Sequence, residues 1–80
     1  MIFKTMNSMY EINTERKEIR RLFGSKEPTS RQGLDGEWKS YEEIADIKVG
    51  VGTMFVWRRE DGVMKTTMTS KVIEIDVVLN

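Results

Sequence analysis

Side chains that move protons, hold metals or attack carbon are scarce in this sequence. It contains no His and no Cys. That removes Ser-His-Asp and Cys-His arrangements, and with them nearly every zinc site recognisable by spacing. The carboxylate pairs Glu42-Glu43 and Glu60-Asp61 remain as candidate acids and bases. Adjacent residues on a strand point to opposite faces, and on a turn both are solvated, so neither pair is set up for a burial-shifted pKa. "GVGT" at 50–53 lacks the glycine spacing and the Lys-Ser/Thr ending of a phosphate cradle, and reads as a bend. No catalytic residue, cofactor-binding residue or metal ligand is expected, and the chain reads as a non-enzymatic protein.

Two groups of residues are better suited to binding. Arg16, Lys17, Arg20 and Arg21 form a basic cluster that Lys26 and Arg31 extend, and Tyr10, Phe23, Trp38 and Tyr41 supply rings on which bases could stack. Glu11, Glu15 and Glu18 interleave with the cluster. Residues 1–40 carry eight basic and six acidic residues, a net of +2. The expected state is therefore a solvated, internally paired face. Single-stranded RNA bound through Arg16, Lys17, Arg20, Arg21, Arg31, Tyr10 and Trp38 is the alternative.

The second group lies in "TMFVWRR" (53–59), where Phe55 and Trp57 share one face of a strand and Met54 and Val56 the other. A single-layer barrel has one interior, so one pair must be covered from outside, because a buried side chain of this size contributes about 1.5 to 3 kcal/mol. The cover is either the N-terminal segment, through Ile2, Phe3, Met6, Met9 and Leu22, or a second copy of the chain. Met54, Val56 and Met68 are the expected interface of a homo-oligomer or of a complex with another protein.

The elements that position these groups are mostly strands. "KVIEIDVVLN" alternates Ile73, Ile75, Val77 and Leu79 against Glu74, Asp76 and Val78, a half-buried strand. "TMFVWRR" and "VMKTTMT" flank "EDG" as a hairpin. A two-residue turn would oppose Arg58 and Lys65, a like-charge pair. A three-residue loop with Gly62 left-handed opposes Trp57 and Lys65 instead and allows a cation–π contact, so this register is expected. Trp38 to Tyr41 reads as a strand, and "VGVG" (49–52) as a sharp bend. "GSKEPTSRQGLDGE" (24–37) is a long connection, of the kind that carries function or is a mobile excursion. Residues 8–24 fit a hairpin turning at "NTER", because Tyr10 to Asn13 is strand-like. A helix over 14–22, capped by Asn13 or Thr14, is the alternative.

Five or six short strands at this spacing imply a mainly β fold: a small, strongly bent antiparallel sheet closing into a barrel. In "VGVGTMFVWRREDGVMKTTMTSKVIEI" the rhythm of strand, tight turn, strand, short break and strand resembles the small barrels of the Sm-like type over residues 37–79. The resemblance implies a fold and a tendency to form rings or dimers by strand addition at open edges. The RNA-binding signatures of that family are not present, since the late turns carry Asp61-Gly62 and Thr69-Ser70-Lys71, so no RNA-contacting residue is carried over.

With 80 residues the chain makes one domain, 1–80, with a marginal core. Its 13 basic and 13 acidic residues cancel, which excludes the global positive field of a general nucleic-acid binder. The absence of Cys, of a signal-peptide core and of any apolar run near 20 residues gives the expectation of a soluble, cytoplasmic protein with no membrane partner.

Overall fold

Residues 8–24 form a hairpin, β2 (Ser8–Asn13) and β3 (Glu18–Gly24), and the helical alternative over 14–22 is set aside. Asn13 ends the first strand as a turn-former does: its side-chain oxygen accepts the Arg16 N–H at 3.0 Å. Lys17 then takes a left-handed φ of 52°, which returns the chain into β3. Ile12 and Ile19 face each other across the pair and are both buried, while Glu11 and Arg20 face each other on the opposite side.

A computed structural model describes residues 1–24 and 35–77; Lys26, Arg31, most of the 24–37 connection, Val78 and Leu79 lie outside the described residues. Five further strands complete the sheet: β1 (Ile2–Thr5), β4 (Lys39–Ser40), β5 (Glu43–Ile44), β6 (Gly52–Arg58) and β7 (Met64–Ile75). The spatial order is β4-β3-β2-β1-β7-β6-β5, antiparallel throughout, and the sheet curls strongly into a half-barrel with no helix among the described residues. Seven strands replace the expected five or six. Two of them, β4 and β5, are two-residue pieces, and β1 arises from a segment that the sequence offered only as a cover.

The curl has a local cause in β-bulges, which bend a strand and raise its twist. Between β1 and β7, Lys4 pairs with Glu74 and Thr5 with Val72, leaving Ile73 as the extra residue. A second slip falls near Thr69 and Ser70, because Gly52 pairs with Lys71 but Met54 with Met68. The period of two therefore breaks twice along β7. Val72 is fully buried whereas Ile73 is 44% exposed, which corrects the expectation that Ile73 shares the inner face with Ile75.

The core fills the concave side with Phe3, Tyr10, Ile12, Ile19, Tyr41, Phe55 and Val72, and Ile44, Ile47, Trp57 and Ile75 pack against it. Phe3 lies on the central strand, with its ring stacked on Tyr10 at 5.3 Å between centroids. The two ends of the sheet meet on one piece of chain. Tyr41 donates its backbone N–H to Lys17 (3.0 Å), and the next residue, Glu42, donates to Val56 (2.7 Å). Residues 39–44 thus cross from the β3 side to the β6 side and bury Tyr41 between them. No helix of the described residues is long and apolar enough to cross a membrane.

Candidate functional site

The β6–β7 hairpin adopts the three-residue loop. Arg59 donates to Val63 (2.9 Å), Gly62 donates to Arg59 (2.9 Å) with a φ of 86°, and Trp57 stands opposite Lys65. A positive φ at Gly62 is the conformation that glycine adopts without a Cβ penalty. The expected cation–π contact between Trp57 and Lys65 does not form. The Trp57 indole N–H donates to the Thr67 hydroxyl at 2.9 Å, and the cation–π contact of the described residues is Arg20 over Trp38, 4.5 Å from the ring centroid.

Between this hairpin and the crossing segment lies a cavity of about 700 Å³, floored by Phe55 and Trp57 and flanked by Lys39, Ser40, Arg58 and Lys65. Arg59, Glu60 and Asp61 form its outer lip. Most of its cations are neutralised locally: Lys39 pairs with Glu37 (2.9 Å), Arg58 with Glu42 (3.1 Å) and Arg59 with Asp61. The Arg59 guanidinium and the Val63 N–H hold the Asp61 carboxyl below the usual carboxylate range, and the more distant Lys65 charge adds to this. Asp61 in turn raises Arg59. Lys65 is half-buried on the concave face beside Trp57 and makes no ion pair among the described residues. Burial raises the Tyr41 hydroxyl pKa, so its neutral form is favoured.

The basic cluster is dispersed by the hairpin's two faces. Arg20 is on the outer face, where its Nε and a terminal nitrogen both donate to one Glu11 oxygen (2.8 and 2.5 Å) while its plane lies over Trp38. Arg21 points the other way, is 6% exposed and pairs with Asp35 at 2.6 Å. Arg16 is exposed beside Glu18 (3.5 Å), and Lys17 donates to the Glu42 carbonyl (3.3 Å). Tyr10 and Tyr41 are core residues rather than open stacking platforms. Of the expected RNA-contacting group, the structure brings together Arg20 and Trp38; Arg31 is outside the described residues.

The outer face of β6–β7 is different in kind. Met54 stands opposite Met68, Val56 opposite Thr66 and Arg58 opposite Met64. Met54 is 43% and Met68 65% exposed. The N-terminal residues do not cover them: Phe3 and Met9 are buried, and Met6 is exposed at the β1–β2 turn. No group of His, Cys, Asp or Glu among the described residues is arranged to hold a metal ion. Sequence reasoning missed the cavity because Lys39 and Lys65 are distant in the chain. The available signal was Lys65 opposite Trp57 on an inward-facing row.

Fold and surfaces together define a small antiparallel β half-barrel with a cavity lined by aromatic and charged side chains and an apolar outer face on β6–β7. Against known proteins, the chain matches no family model, no curated protein and no solved structure.

Proposed function

We infer that this protein is a non-enzymatic assembly module that packs the outer face of β6–β7, through Met54, Val56 and Met68, against a second copy of itself. The observation that carries the reading is the Met54–Met68 cross-strand pair, with Val56 and Thr66 beside it, on a face where antiparallel sheets ordinarily place polar residues. The positions Met54, Met68, Val56 and Thr66 carry no charge themselves, with Arg58 at one end of the row and Glu43 beside Val56 on β5, and a two-fold axis presents the same patch to itself. Methionine adapts its shape to an irregular partner surface. The likeness to Sm-like barrels belongs to this proposal: the strand rhythm falls on β4 to β7. Strand addition at an edge, which that likeness implies, is less supported than face packing, because β4 and β5 offer two residues each.

Light scattering during gel filtration tests the reading. The expected mass at tens of micromolar is above the 9.4 kDa of one chain, and Met68→Glu returns it to one chain while the fold persists. A strictly monomeric wild type overturns self-assembly and leaves a partner protein as the face's occupant. RNA binding through the Arg16 to Arg21 cluster is the second reading, favoured by the open Arg20–Trp38 pair. It requires a complex that weakens steeply with salt.

A further inference from the structure

The cavity on the concave side is separate from the apolar outer face, and its chemistry calls for a ligand of its own. Its floor is aromatic, from Phe55 and Trp57, and its volume of about 700 Å³ falls in the range of small-molecule sites. Four cations, Lys39, Arg58, Arg59 and Lys65, line it together with Glu60 and Asp61. Lys39, Arg58 and Arg59 are each held by a carboxylate. Lys65 is the exception. It points inward from the position opposite Trp57, half-buried, with no ion pair among the described residues. A half-buried lysine is partly dehydrated, and among the described residues only the more distant Asp61 carboxylate acts on it, so a negative group brought beside it is favoured.

The geometry points to a binding site for a planar anion, an aromatic ring bearing phosphate, with the ring against Trp57 and Phe55 and the phosphate on Lys65. A nucleotide has this chemistry, either free or as one unit of a single strand. Arg58 also lines the cavity, and its pairing to Glu42 is exposed and exchanges readily for a doubly charged group. The site is distinct from the Arg16 to Arg21 cluster, whose Arg20 faces the outer side of β3.

Fluorescence reads this directly. In a Trp38→Phe background, Trp57 is the remaining one of the chain's two tryptophans. Adenosine monophosphate, a hexauridylate and uncharged adenosine are each titrated while Trp57 emission is followed. The expected result is saturable quenching by the monophosphate, weakened about tenfold or more both in uncharged adenosine and in Lys65→Met. A hexauridylate that binds more tightly than the monophosphate identifies a single strand as the source; equal or weaker binding identifies a free nucleotide. Amide shifts in the wild type give a measurement that no variant can confound, and they should cluster on Lys39, Ser40, Trp57 and Lys65. The proposal is overturned if neither phosphorylated probe quenches Trp57, if Lys65→Met binds as well as wild type while folded, or if the shifts fall elsewhere. Because the readout is quenching and not mass, this result stands apart from that of the assembly test.

Discussion

The two halves of the sheet solve the same problem in opposite ways. In β2 and β3 the outer face is tied down by charge: Glu11 holds Arg20, and Arg16 lies beside Glu18. In β6 and β7 the outer face is left to Met54, Val56, Met64 and Met68, and the charges sit at the hairpin's lip and around the cavity. The first half pairs its outward charges with each other, and Phe23 at the end of β3 is its exposed apolar side chain. The second is left with exposed apolar side chains, Met54, Met64 and Met68 among them. The contrast follows from sequence at equal strand length, since β3 and β6 are both seven residues; what differs is whether the outward positions carry partners for each other.

The largest way to break this arrangement is to remove what both halves share. Phe3 is fully buried on the strand between them, and Phe3→Ala should cost about 3 to 5 kcal/mol, a large part of the 5 to 15 kcal/mol typical of a domain. Urea unfolding should show one lowered midpoint by both far-UV and tryptophan signals. Two separate transitions would mean that the halves are independent.

A second probe acts where the ends of the sheet meet. Burial raises the Tyr41 hydroxyl above its ordinary 10.0, so the folded chain keeps the proton that the unfolded chain releases. Stability is then fully present below the unfolded value and lost as pH rises through the higher folded value. Alkaline unfolding monitored by circular dichroism should begin near pH 10 and shift upward in Tyr41→Phe, and an unchanged profile would show that Tyr41 does not limit the closure.

The smallest effect should come from the charged half. Glu11→Gln removes the partly exposed Arg20 pair and should cost about 1 kcal/mol or less, with the loss shrinking at high salt. Its oligomeric mass should equal that of wild type. A change in mass from Glu11→Gln, with none from Met68→Glu, would invert the assignment of the two faces.

What was legible in the sequence was local. The β6–β7 register followed from one choice, whether Lys65 faces Arg58 or Trp57, and the structure has it facing Trp57. The β2–β3 hairpin was readable because Tyr10 to Asn13 is strand-like, the chain downstream reads as β, and "NTER" offers a polar turn. β1 was not, since four residues give too short a pattern, and its strand character comes from pairing with β2 and β7. Ile73 misled because a period of two assumes an unbroken ladder, and bulges in β7 leave no mark in residue type. Arg21 misled for a related reason: a basic cluster in one dimension places alternate members on opposite faces, and Asp35 draws this one inward. The cavity was illegible as a whole because no neighbour in sequence announces Lys39 to Lys65.

The pairing of β1 with the far end of β7 carries a consequence for how the molecule is made. β1 can pair with β2 early, but its other neighbour comes late: Phe3 meets Ile75 and Thr5 meets Val72, roughly 70 residues further on, about 4 to 14 s at ordinary elongation rates. During that interval β1, β2 and β3 can pair, with Phe3 stacked on Tyr10, but the β7 side of that phenylalanine has no wall, and translation speed decides how long it waits.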